Sequence, residues 1–229
     1  MNRFSVAIDG PAGAGKSTLA KQAAARLGFV YVDTGAIYRT VGLAAKNAGV
    51  AKEDADGVKA LLPTLQVTIR YAQGVQRMFL NGQDVSEEIR TPEISAYASH
   101  VSAIPEVRAF LMDMQRQLAR EHDVIMDGRD IGTVVLPDAG LKVFLTASAE
   151  KRAARRCLEL QQKGLQVTFE EVLAEMQARD AKDTGRETAP LRPAEDAVHL
   201  DTSEMTLEES VERLEELIRQ ARAERQAEQ

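Results

Sequence analysis

Eight consecutive residues carry the clearest chemistry in this chain: Gly10, Pro11, Ala12, Gly13, Ala14, Gly15, Lys16 and Ser17. Their spacing is that of a phosphate-binding loop: glycine, four residues, glycine, lysine, serine. Glycines let such a backbone turn tightly, so that successive N–H groups converge on one anion. The helix that follows adds partial positive charge at its N-terminus. Lys16 can reach the β- and γ-phosphates of a nucleotide, and the Ser17 hydroxyl can ligate Mg²⁺. Gly10 through Thr18 is therefore the expected ATP site, with Ser17 as its metal ligand.

Two further polar groups stand just past apolar runs. Asp33, Thr34, Tyr38 and Arg39 follow Phe29–Val32, and Asp127-Gly128-Arg129-Asp130 follows Val124–Met126. Asp33 or Thr34 could simply cap a helix, which does not exclude contact with a ligand. Two aspartates and an arginine at one strand end exceed what a turn requires. Farther on, Arg152, Arg155 and Arg156 share one face of a charged helix. The next helix runs to Arg179-Asp180, and the chain continues through Lys182, Asp183 and Arg186. Charge density alone favours a solvated helical hairpin. A phosphate-binding loop upstream favours an arginine-bearing lid over residues 150–188, because a transferred phosphoryl group needs mobile cations. Arg152 and Arg156 are the expected lid cations.

The elements that must position these groups follow from hydrophobic patterning. Phe4–Ile8 is short and apolar, as a buried parallel strand is. It is followed by a helical stretch (18–27), a second strand (29–32) and a second helix (36–48). This start predicts an α/β fold with ligands outside the carboxyl ends of the strands. Leu65, Val67, Ile69 and Tyr71 then alternate with polar residues, and Asn81-Gly82 is a strong hairpin signal. Residues 65–89 therefore read as an antiparallel insert, either decoration or a movable arm over a second substrate. Pro105 divides the next helical region in two. The second half carries an apolar stripe of Val107, Phe110, Leu111, Met114 and Leu118, with Arg108 off it. Strands at 142–145 and 197–200 complete the sheet. Thr168-x-x-Glu171 and Thr206-x-x-Glu209 are capping boxes, and residues 220–229 are expected to fray.

The chain has 229 residues and a formal net charge of −6. The length suits one domain with inserted subdomains, and the acidity argues against binding nucleic acid polymers. The single cysteine, Cys157, excludes an internal disulfide and reads as a neutral, half-buried thiol. His100, His122 and His199 share no metal-ligand spacing. No run has transmembrane length and no signal-peptide pattern is present, so a cytoplasmic protein with no membrane partner is expected.

The most specific stretches are 8–17, Asp33-Thr-Gly-Ala-Ile-Tyr-Arg39, Asp127-Gly-Arg-Asp-Ile-Gly-Thr133, and Arg179-Asp180 with Arg186. Over essentially its whole length the chain resembles the bacterial cytidylate (CMP) kinases, of the nucleoside monophosphate kinase group. That resemblance implies a three-layer α/β fold: a five-stranded parallel sheet, a monophosphate-binding region (34–120) with an antiparallel insert, and a short helical lid. It implies transfer of the γ-phosphoryl group of ATP to CMP or dCMP, with Mg²⁺, in pyrimidine nucleotide metabolism. It places Ser99, Arg108 and Asp130 at cytosine, and Arg39, Arg129 and Arg186 at the CMP phosphate. Arg179 and Asp183 fall near the ribose, while Thr34 and Tyr38 line the monophosphate site. Lys16, Arg129, Arg152, Arg156 and Arg186 are then the catalytic cations of a monomeric enzyme. A kinase for UMP or AMP, or a nucleotide-hydrolysing switch, are the alternatives. The absence of an Asn-Lys-x-Asp signature weakens a GTPase.

Overall fold

Short apolar runs bounded by glycine and aspartate become strands, and the 3.6-period segments between them become helices. The computed structural model describes residues 3–162 and 164–227. In chain order the elements begin β1 (Ser5–Asp9), α1 (Lys16–Leu27), β2 (Val30–Asp33), α2 (Thr34–Asn47) and α3 (Ala55–Leu61). There follow β3 (Val67–Ala72), β4 (Val75–Leu80), β5 (Gln83–Asp84), α4 (Pro92–Val101) and α5 (Pro105–Glu121). The chain ends with β6 (Val124–Gly128), β7 (Leu141–Thr146), α6 (Ala149–Gln162), α7 (Phe169–Gly185), β8 (Val198–Asp201) and α8 (Leu207–Ala227).

Five strands form a parallel sheet in the order β2-β6-β1-β7-β8. Its central strands are largely apolar because both faces are covered. Val6, Ile8, Ile125, Val143 and Leu145 pack into one core with α1 and α8. Ala7, Val32, Val124 and Met126 pack into another with α2, α4 and α5. The sheet is thus the middle of three layers, and the polar strand ends Asp9, Asp33 and Asp127 lie close together.

The insert is a separate antiparallel sheet, β3-β4-β5. Leu80 pairs with Gln83 across Asn81-Gly82, whose φ values are 50° and 83°. Both turn residues need positive φ, which glycine supplies without a steric cost. Met78, Val85 and Ile89 plug the insert into the same core as α2. The helices α6 and α7 form a hairpin around Ala153, Cys157, Val172 and Met176.

The structure departs from the sequence reading in three places. Helix α3 has no counterpart in that reading, although Asp54 caps it by accepting from Gly57 N–H at 2.9 Å. On α5, Phe110 is exposed and Arg108 buried, the reverse of the apolar stripe. The C-terminal segment does not fray through Ala227. Arg222 pairs with Asp123 at 3.1 Å and Arg225 lies over the Phe4 ring, so the last turns dock on the body. Glu228 and Gln229, also expected to fray, lie outside the described residues. No described helix is long and apolar enough to cross a membrane.

Candidate active site

The loop after β1 is shaped by close approach. At Gly10 a Cβ would stand 2.0 Å from the Leu145 carbonyl oxygen, and φ is 152°, so only glycine fits. Arg152 braces the loop from behind. Its Nη1 donates to the Ala12 carbonyl at 2.8 Å and its Nε to the Ala147 carbonyl at 2.9 Å. Asp180 pairs with Arg152 at 2.7 Å and accepts from Ala12 N–H at 3.3 Å. Both main-chain polar atoms of Ala12 are thereby held by α6 and α7.

Lys16 is buried, and its ammonium donates to the Pro11 carbonyl at 2.7 Å. Burial foremost, then the cation Arg129, pushes its pKa well down, against the pull of Asp127 and Asp9. Ser17 Oγ donates to Asp127 Oδ2 at 2.8 Å, and the Tyr31 hydroxyl donates to Asp127 Oδ1 at 2.9 Å. Burial, reinforced by Asp33, raises the Asp127 pKa to about 6. A buried carboxylate beside a hydroxyl is an all-oxygen donor set, which suits a hard divalent cation. Among the described residues no group of three or more His, Cys, Asp or Glu could hold a metal. Ser17 and Asp127 could together offer two protein oxygens to such a cation. The loop spacing in the sequence points to Ser17, but no motif there gives Asp127 a role. The available signal was its place at the tip of the strand beside the phosphate-loop strand.

A cleft of about 530 Å³ opens beside the loop. Ala12, Gly13, Gly15, Lys16, Ser17 and Thr18 line the end formed by the loop. Gly10, Pro11 and Ala14 shape the loop without lining the cleft. Thr34, Tyr38, Arg39, Ser99 and Arg108 line the rest, together with Arg129, Asp130, Arg179, Asp183 and Arg186. These ten residues are the whole sequence-based acceptor set. Arg156 also faces the cleft. Arg152 does not, being occupied behind the loop, and Arg155 lines the cleft instead.

The end of the cleft away from the loop is crowded with positive charge. Arg129 Nε donates to Asp183 at 2.9 Å, but Arg39 Nε and Arg179 Nε are buried without hydrogen-bond partners. Burial, then Arg129, lowers the Arg179 pKa. Guanidinium groups gathered this way favour a multivalent anion, for which their planar forks are suited. Beyond them, buried Arg108 and Asp130 form an ion pair. Arg108 also donates to the Ser102 carbonyl at 3.2 Å, and Arg186 stands 3.8 Å from the other Asp130 oxygen. Asp9, 4% exposed, accepts from Ile131 N–H and Gly132 N–H, both at 2.7 Å. One carboxylate thus joins the donor strand to the turn that follows Asp130. Burial lifts its pKa to about 6 despite these bonds.

A second recess of about 270 Å³ adjoins the loop on its other side. Leu19, Met205 and Leu207 give it an apolar wall, and Arg155, Thr202 and Ser210 a polar rim. Gly15, Thr18 and Arg155 line both spaces. The wall and rim residues have no site assignment from the sequence, since an apolar wall has no motif.

Known proteins match over most of the chain. The family model described as cytidylate kinase matches residues 6–220. A cytidylate kinase of Caldanaerobacter subterraneus is 52% identical over 214 residues, covering 93% of this chain and 94% of that protein. One from Caldicellulosiruptor bescii is 50% identical over 217 residues, covering 95% and 96%. Among solved structures, an uncharacterized protein from Eubacterium ventriosum superposes with a TM-score of 0.51 at 13% identity. It covers 95% of this chain and 99% of that one, which shows a shared fold alone.

Proposed function

The chain belongs to the cytidylate kinase family, and from that premise we infer that it transfers the γ-phosphoryl group of ATP to CMP or dCMP. One observation supports this above the others. A phosphate-binding loop, a cluster of half-buried arginines and a buried Arg108–Asp130 pair share a single cleft. The loop holds the donor phosphates, the arginines the acceptor phosphate, and the pair the base. The apolar recess beside Arg155 receives the donor's adenine ring.

Asp130 accepts from the exocyclic amine of cytosine, while Arg108 and Ser99 donate to its ring carbonyl and N3. Uracil presents an acceptor where cytosine has that amine, so a carboxylate there repels it. Arg179 and Asp183 address the ribose, and Thr34 and Tyr38 close the phosphate site. No general base is required. The second pKa of a phosphate monoester is about 6, so CMP is largely a dianion at pH 7. One of its phosphate oxygens attacks the γ-phosphorus. The bond to the β–γ bridging oxygen breaks, and ADP leaves as CDP forms. Lys16 follows the migrating charge, with Arg129, Arg156 and Arg186 around it. Positioning and charge neutralisation supply the catalysis. Mg²⁺, held by Ser17 and Asp127, would neutralise phosphate charge when bound. The α6–α7 hairpin acts as the lid, keeping water from the γ-phosphate. The enzyme is read as a monomer. A reducing cytoplasm suits both the substrates and the lone thiol.

The test is ADP release from Mg-ATP with CMP, dCMP, UMP, AMP or no acceptor. Fast turnover with CMP and dCMP alone is expected. Equal turnover with UMP or AMP would remove the role of Asp130, and turnover without an acceptor would make the protein a hydrolase.

A further inference from the structure

The antiparallel insert does not reach over the cleft: none of residues 65–89 lines it. Besides packing against α2, it makes polar contact with the site through the main chain of β2. Gln76, on β4, is buried, and its amide clamps one residue from both sides. Oε1 accepts from Asp33 N–H at 2.8 Å, and Nε2 donates to the Asp33 carbonyl at 3.1 Å. A flipped amide would set donor against donor, so the partners fix its orientation. Tyr71, on β3, adds a bond from its hydroxyl to the Tyr31 carbonyl at 3.1 Å.

Asp33 is the residue through which β2 enters the site. Its Oδ1 caps α2 by accepting from Ala36 N–H at 2.8 Å. Its Oδ2 pairs with Arg39 Nη2 at 2.9 Å. Arg39 faces the cleft, and its Nε is buried with no hydrogen-bond partner. Clamping the Asp33 main chain therefore fixes the carboxylate that aims Arg39. Without the clamp, the Asp33 N–H and carbonyl lose these bonds, and the residue can rotate out of both its capping and pairing geometry.

We propose that Gln76 is a positioning residue for the acceptor phosphate, acting from the insert through Asp33 upon Arg39. The inference rests on the reading of Arg39 as a ligand of that phosphate monoester. The insert then serves to hold the acceptor arm in place from behind rather than to cover the substrate.

The experiment is a double-mutant cycle with steady-state kinetics and thermal melts. Gln76→Leu keeps most of the buried volume and removes both bonds; Gln76→Met serves the same purpose if the branched side chain does not fold. Either variant should raise KM for CMP by about fivefold to twentyfold, as expected for two lost hydrogen bonds. KM for ATP should stay within about twofold. Arg39→Ala should raise KM for CMP by itself, and in that background the Gln76 substitution should add almost nothing. If Arg39→Ala leaves KM for CMP unchanged, the reading of Arg39 falls and the role of Gln76 with it. If Arg39→Ala acts but Gln76→Leu alters only the melting temperature, or both KM values alike, Gln76 is structural and the acceptor site stands. Effects that multiply would show that Gln76 does not act through Arg39.

Discussion

The donor and acceptor ends of this cleft are built on opposite principles. The proposed donor end centres on one continuous segment, residues 10–18, a loop type that binds anions through main-chain N–H groups set by strand, turn and helix. The acceptor end gathers long side chains from α2, α4, α5, the turn after β6, and α7 with the segment behind it. A main-chain site needs only the loop to fold. A side-chain site needs every contributing element in register, and each side chain aimed by a partner. The loop itself is braced at Ala12 by Arg152 and Asp180, and the acceptor end carries its own cross-links: Asp9 to Ile131, Asp33 to Arg39, Arg129 to Asp183.

Substitutions can test how separate the two ends are. Lys16→Ala should show the largest effect, lowering kcat/KM on the order of a thousandfold while KM for CMP stays within several-fold. A comparable rise in KM for CMP would mean that the ends are not separable. Leu111 lies on the face of α5 that also buries Arg108. Leu111→Ala should cost about 3 kcal/mol of unfolding free energy and loosen CMP more than ATP, whereas Phe110→Ala should stay within about 0.5 kcal/mol. Denaturant titration with parallel kinetics reads both. Asp130→Asn should weaken kcat/KM for CMP by roughly tenfold to two-hundredfold, with a smaller loss for UMP and no change in KM for ATP. Equal losses for both acceptors would assign Asp130 to phosphate placement or folding.

The smallest effect concerns pH. Asp9 has a folded pKa of about 6, above its ordinary value of 3.8, so the folded state binds the proton more tightly. Its contribution to stability is full below about pH 4 and is lost as pH rises through about 6. Asp127 acts in the same direction. Nucleotide-free protein should therefore gain about 1 kcal/mol from Asp9 alone between pH 7 and pH 5. Thermal melts should show that gain, and Asp9→Asn should remove its share. A flat pH profile would place these carboxylates in more polar surroundings than their burial indicates.

The same contrast explains what could be read from the sequence. The donor loop is legible because its spacing is its structure, and the parallel sheet because its strands are short and largely apolar. The antiparallel insert is legible through alternation and Asn81-Gly82. The acceptor set is reachable chiefly through family resemblance: Arg108 sits off an apolar stripe, and only the folded chain shows it buried against Asp130. Arg152 and Arg156 share a helical face by spacing, yet Arg152 turns to the Ala12 carbonyl while Arg156 faces the cleft. Spacing places residues on a face, but packing against α7 decides which of them is spent on structure. Gln76 and Asp9 are illegible for a similar reason, since their partners are main-chain groups that carry no sequence signature.

The clamp on β2 has one more consequence. β2 is an outermost strand of the parallel sheet, and its outward main-chain groups would ordinarily offer a template to any other extended chain. Tyr71 occupies the Tyr31 carbonyl, and Gln76 occupies both polar groups of Asp33. Two side chains thus stand where a sixth strand could have paired, without extending the sheet. The insert thereby makes the β2 border of the sheet a poorer template for edge-to-edge pairing.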